Sequence, residues 1–258
     1  MEVILNKMKS VHNDIVDYYI TDIHLNELIG SKIKIDFTGQ IFCIKCGNKT
    51  PKSFAQGFCY KCFISAPEAE ECVLKPELCR AHEGTARDMN YATENCLQEH
   101  VVYLALASCV KVGVTRKTQV PTRWIDQGAS KAIKLATTPN RYTAGIIEVE
   151  LKKYLADKTN WQKMLKNEID EKINLIDEKS RIAELIPQFS KFIHYDNFIY
   201  NFSYPVNKYP VKVKSMNLDD NPKIEGVLSG IKGQYLIFED NSVVNIRKYG
   251  GYKVNFEF

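Results

Sequence analysis

The sequence has no apolar run approaching the roughly 18 residues of a membrane-spanning helix. Its first ten residues, Met1 to Ser10, contain no long apolar stretch ending in a small-residue cleavage site. Neither a membrane partner nor a secretory leader is expected, and a cytoplasmic location follows. Glycine and proline are sparse, 13 and 9 of 258 residues, which excludes collagen-like and low-complexity polymers. Internal repeats and Gly/Ser- or Pro-rich linkers are missing too. So are the Gly-x4-Gly-Lys phosphate loop and the Gly-x-Ser-x-Gly elbow, which argues against P-loop nucleotide hydrolysis and ester hydrolysis. No dinucleotide cofactor is expected.

What is present describes a globular chain. With 45% hydrophobic and 26% charged residues, it can bury one large core or two to three small ones. The net charge of +4 is modest but unevenly spread: residues 101–165 carry eleven basic and four acidic side chains, residues 66–100 three and eight. The basic middle third could neutralise phosphates or be a solvated helix face.

Cysteine is the abundant oddity. Eight cysteines without a secretory signal argue for thiolate or metal chemistry, because a reducing cytosol does not sustain structural disulfides. Cys43-Ile-Lys-Cys46 and Cys59-Tyr-Lys-Cys62 are two C-x2-C pairs with twelve residues between them. A two-residue spacer lets both sulfurs of a pair reach one zinc ion at about 2.3 Å, and Gly47 suits the positive-φ position after the first pair. Four thiolates leave no open position for water, so the expected role is structural. Cys72, Cys79, His82 and Cys96 form a looser second candidate, with His100 competing for its fourth place; buried, unliganded cysteines are the alternative. Cys109 has no sequence partner and reads as an ordinary small residue.

The expected fold class is α+β in three parts. Residues 1–100 form a β element with one or two zinc sites, including strands over Ile33–Phe37 and Ile41–Phe42. Residues 101–200 form a small sheet with helices. Val101–Leu106 and Val110–Val114 read as a hairpin, Pro121–Gly128 as a helix and Ile133–Ala136 as a third strand. Thr143–Asp157 and Ser180–Phe192 read as helices, and a helix opening at a Thr159 capping box carries Trp161, Leu165, Ile169 and Ile173 on one face. Residues 201–258 hold short strands at regular spacing, expected to curl into a small barrel.

Residues 101–155 place Tyr103 on the first hairpin strand, Lys111 to Thr115 on the second, Arg123 on the next helix and Glu148 on the amphipathic one. This order resembles the GIY-YIG endonuclease domain, with Val101-Val-Tyr103 standing for its first motif and Lys111-Val-Gly113 for its second. The resemblance covers about 60 residues and is most specific over Lys111-Val-Gly-Val-Thr-Arg116. The whole chain also looks similar to an uncharacterised bacterial family of zinc-binding proteins. The resemblance implies that Glu148 holds Mg2+ or Mn2+, Arg123 grips phosphate oxygens and Tyr103 orients or deprotonates water. Gly113 would permit close backbone approach and Thr115 would brace the hairpin, with Gly113, Thr115 and Arg116 against DNA or RNA. Lys111 departs from the pattern by replacing the second tyrosine; an ammonium neutralises phosphate and acts as a base only if burial lowers its pKa. Each residue also has an ordinary structural reading. Tyr103 and Thr115 are common strand residues, Arg123 could stack on Trp124 or pair with Asp126, and Glu150 competes with Glu148. The alternatives to a metal-dependent phosphodiesterase are a non-catalytic DNA- or RNA-binding protein and an interaction scaffold braced by zinc.

Overall fold

The computed structural model describes residues 1–155 and 160–258. The chain begins with β1 (Glu2–Ile4), then a small antiparallel sheet of β2 (Lys9–Val11), β3 (Asp17–Ile20) and β4 (Ile23–His24). The long β5 (Lys32–Phe42) and the short β6 (Lys49–Thr50) flank the first cysteine pair; α1 (Tyr60–Ser65) and α2 (Met89–Asn95) follow. Next come β7 (His100–Leu106), β8 (Val110–Arg116), α3 (Thr122–Asp126), β9 (Lys131–Thr138), α4 (Arg141–Leu151), α5 (Trp161–Leu165) and α6 (Leu175–Glu184). The remainder is β10 (Ile199–Asn201), β11 (Lys214–Ser215), β12 (Lys223–Lys232), β13 (Tyr235–Phe238), β14 (Ser242–Asn245) and β15 (Tyr252–Glu257).

This is a mixed α+β architecture, but its C-terminal strands form no closed barrel among the described residues. They join the N-terminal strands in an eight-stranded sheet of order β1-β15-β5-β12-β13-β14-β11, with β6 beside β5. Alternation explains the choice. Ile33 and Ile35 of β5 face the same interior as Ile224 and Leu228 of β12 and Val254 and Phe256 of β15, all at most 1% exposed. A barrel closed from the C-terminal strands alone would leave the β5 side of that apolar surface in water.

The second sheet, of order β10-β9-β7-β8, carries the residues of the resemblance. Its hairpin pairs all seven residues of β7 with β8, setting Tyr103 opposite Gly113, Ala105 opposite Lys111 and Val101 opposite Thr115. Directly opposed residues share a face. Val102, Leu104, Val110 and Val112 therefore pack on the other face, against Ala144, Ile147 and Leu151 of α4.

Three helix expectations need correction. The helix after Val120 is the short α3, ending before Gln127, with Gly128 at φ +69° turning the chain. α5 stops at Leu165, since Asn167 takes φ +58°; Ile169 and Ile173 pack from non-helical chain beside the α4 core. The Ser180–Phe192 segment is divided between α6 and a 3-10 turn, Pro187–Phe192, because Pro187 cannot continue the helical ladder. Thr159, and Asp157 at the expected end of α4, lie outside the described residues; Asn160 caps α5, accepting the Lys163 N–H at 3.1 Å. No helix among the described residues is long and apolar enough to cross a membrane.

Candidate functional site

Local backbone chemistry assembles the first thiol group. Cys43 leaves the end of β5, its N–H donating to Asn48 O at 2.9 Å, and the Gly47 N–H closes a turn on Cys43 O at 2.8 Å. Gly47 sits at φ +73°, where a Cβ would be strained. Cys59 caps α1, so Cys62 returns one turn later to the same side. The four sulfurs lie within 4.8 Å of one another, and Cys46 and Cys59 are 3.9 Å apart. Tetrahedral zinc with bonds of about 2.3 Å requires sulfurs about 3.8 Å apart, so the donor set fits zinc in chemistry and spacing. Burial opposes ionisation of Cys43, but backbone N–H groups of Cys59, Cys46 and Lys45 hold its thiol down to about 6, while burial and its thiol neighbours push Cys62 up to about 12.

The second group is a buried trio. Cys72, Cys79 and Cys96 bring their sulfurs within 4.8 Å of one another, and Cys72 and Cys96 hydrogen-bond toward Cys79, lowering its pKa. His82 was expected to complete this set, but among the described residues the compact ligand group is the three thiols alone. The His82 ring stacks on Tyr142 at 4.2 Å between centroids. His100, the competitor, has Nδ1 2.7 Å from Gln98 O. Arg141 ties the trio to the second sheet: its guanidinium donates to Cys72 O and Asn95 O, both at 3.1 Å, and its backbone N–H to Cys96 O at 2.9 Å.

The hairpin sets Tyr103 against Gly113. The Tyr103 ring lies across the backbone of Gly113; a Cβ there would meet the phenol oxygen at 2.5 Å. Tyr103 is fully buried and donates to Gln127 Oε1 at 3.0 Å. Burial raises its pKa, Arg123 opposes that rise by charge and hydrogen bonding, and the Glu148 carboxylate adds to it. Tyr103 on β7 thus lies within electrostatic reach of Arg123 from α3 and of Glu148 from α4. A phenol with a raised pKa donates a proton in a hydrogen bond and is a poor base for water. Lys111 is the better base: burial, then the charge of Arg123, lowers its ammonium to about 8.

Among the described residues Arg123 neither stacks on Trp124 nor forms an ion pair with Asp126; its side-chain hydrogen bond is to Tyr103. Trp124 is buried edge-on to Tyr103, Tyr200 and Phe202, and Asp126 is held by Lys7 at 2.5 Å and Gln234 at 2.9 Å. Arg123 instead opens into a cleft with Thr115 and Arg116, and Lys7, Arg141 and Arg247 join them there. Among the described residues that line the cleft, five cationic side chains thus face one carboxylate, that of Asp126. Arg116 donates to Asn95 Oδ1 and Arg247 to Gln56 Oε1 at 2.8 Å. Burial, and then the charge of Arg123, lowers the pKa of Arg247, so the cations repel within a partly desolvated space. Lys7, Arg141 and Arg247 carry no motif. They come from the N-terminal segment, the start of α4 and the turn before β15, and only tertiary structure collects them.

Residues 30–254 match the family described as a protein of unknown function, DUF2797. The chain belongs to the DUF2797 family. The matched span includes both thiol groups, the hairpin and Arg247, and the family description assigns no activity. No curated protein and no solved structure matches the chain significantly.

Proposed function

We propose that this DUF2797 protein acts on nucleic acid as a divalent-metal-dependent phosphodiesterase of the GIY-YIG kind, with zinc in a structural role. The observation that carries the reading is the Tyr103 phenol crossing Gly113 into the fields of Arg123 and Glu148. Cleaving a phosphodiester requires a neutralised phosphate, an activated water and a stabilised leaving oxygen. The Arg123 guanidinium supplies a fork for two phosphate oxygens. Lys111, with its pKa near 8, is partly unprotonated at neutral pH and accepts the proton of the attacking water. The Tyr103 O–H moves from Gln127 to donate to that water or the phosphate. Glu148, with its side chain 12% exposed and Lys152 at 3.7 Å, offers one hard carboxylate, which fits a magnesium-type ion that keeps several of its waters. Such an ion, when bound, would neutralise charge on the phosphate and on the departing oxygen, which takes its proton from solvent.

The test is cleavage of single- and double-stranded DNA and RNA by the purified chain with Mg2+ or Mn2+. Activity that falls at least a hundredfold in both Glu148→Ala and Arg123→Ala, with thermal stability retained, supports the reading. Unchanged cleavage in both rejects it. The second reading, nucleic-acid binding without cutting, is favoured by the resting burial of the Tyr103 hydroxyl against Gln127. It predicts salt-sensitive binding and no cleavage at any metal concentration.

A further inference from the structure

The arginine cleft has a neighbour. A cavity of about 740 Å³ adjoins the cleft of about 230 Å³, and the two share Lys7, Val73, Leu74, Arg123 and Arg247. The larger cavity runs beneath the first thiol module, where Ile44, Phe58 and Phe63 line it. Two features of this wall are costly as they stand. Leu74 is 84% exposed at the junction and Ile44 is 42% exposed, so apolar surface faces water. Glu68 lines the same cavity; its Oε1 takes Lys45 at 2.5 Å, while its Oε2 is buried with no partner among the described residues. The cleft has its own unpaired groups: His100 Nε2 and Arg141 Nε are both buried without partners among the described residues.

We infer that the two spaces form one nucleotide site, in which a phosphate sits among Arg116, Arg123, Arg141 and Arg247 and the base lies under the thiol module against Leu74, Val73 and Ile44. This rests on the proposed action on nucleic acid and names the unit recognised: a single nucleotide, at a strand end or turned out of its stack, rather than a length of duplex. An anionic head relieves the repulsion among the arginines. A flat aromatic body covers the exposed aliphatic wall, and its ring N–H or amino group offers a donor to the unpaired Glu68 oxygen. The chamber volume suits this division, since pockets for small ligands span about 300–1,000 Å³.

The experiment is calorimetric titration of the full, zinc-loaded chain, without Mg2+ or Mn2+, using adenosine monophosphate, ribose 5-phosphate and inorganic phosphate. The mononucleotide is expected to bind about tenfold or more tightly than ribose 5-phosphate, which in turn binds much like phosphate. Arg247→Ala weakens all three. Leu74→Ser, at a side chain too exposed to matter for folding, weakens the mononucleotide alone. Equal affinity for the mononucleotide and ribose 5-phosphate removes the base chamber and overturns the inference, as does an absence of binding by any of the three. The outcome is separable from nuclease activity. Mononucleotide binding by a chain that cuts nothing keeps the site and ends the phosphodiesterase reading. Metal-dependent cleavage by a chain that binds no mononucleotide keeps that reading and ends the site.

Discussion

A glycine and a lysine, two positions apart on β8, set the chemistry of the hairpin in opposite ways. Gly113 makes room: replacing it with alanine puts a Cβ 2.5 Å from the Tyr103 oxygen. Overpacking of this kind costs about 1–3 kcal/mol. Gly113→Ala should therefore lower the melting temperature by several degrees in a calorimeter, on the scale of about 2–4 °C per kcal/mol for a chain of this size. Lys111 costs stability directly. Its pKa is lowered from 10.5 to about 8, so between these values the unfolded chain binds the extra proton and stability rises with pH. At neutral pH the penalty is about 3 kcal/mol, at 1.36 kcal/mol for each pH unit between the two values. Lys111→Met should thus be more stable than the wild type at pH 7, and the difference should shrink as pH rises from 8 towards 10.5, measured by urea unfolding at each pH. A difference that does not change with pH would show that the ammonium is not desolvated in the folded state. Strongly lowered lysine pKa values cluster at functional sites, which is the reason Lys111 enters the proposed mechanism. The lysine was visible in the sequence as a departure from a motif; its burial was not, because the Arg123 and core side chains around it come from other elements.

At the scale of elements, the decisive contacts join pieces distant in sequence. Gly145 in α4 lets the 3-10 turn Pro76–Leu78 lie directly on the helix, where a Cβ would approach Glu77 N at 2.2 Å. Alanine ordinarily favours a helix over glycine by about 1 kcal/mol. Gly145→Ala should nevertheless destabilise the protein, and by more than Gly113→Ala, because its obstacle is backbone rather than a ring that can tilt. A raised melting temperature would contradict the packing. The first thiol module makes a separate prediction. Metal analysis by mass spectrometry should find at least one zinc per chain. Chelation should raise deuterium uptake over residues 43–62 well before the hairpin His100–Arg116 responds. Uptake unchanged by chelation would show that the module stands without metal. Its C-x2-C spacing was legible in the sequence because two local turns, one at Gly47 and one at the start of α1, deliver each pair of sulfurs. The second group was half legible. Its three cysteines converge through long-range packing around Arg141, and the nearby His82 turns instead to Tyr142, a ring 60 positions away.

For the whole molecule, the short strands after residue 200 were readable one by one from their alternation, whereas their partners were not. Nothing in residues 201–258 indicates that β12 and β15 flank β5 from the beginning of the chain. The same limit hid Arg247 from any reading of the cleft. A fragment of residues 201–258 should accordingly fail to fold, giving a collapsed amide spectrum by NMR, and should gain dispersion only with residues 1–60 supplied. A well-dispersed spectrum from the fragment alone would contradict this.

The central place of β5 bears on the order of events during synthesis. Both of its long neighbours, β12 and β15, are translated some 180 residues or more after it. At about 5–20 residues per second, a nascent chain waits roughly ten to forty seconds between exposing β5 and completing the sheet around it. During that interval the cysteines at its end stand on the ribosome-bound chain with only their own turns for support. Ion capture by those turns would then be an early event, and the late strands would dock onto an end already tied.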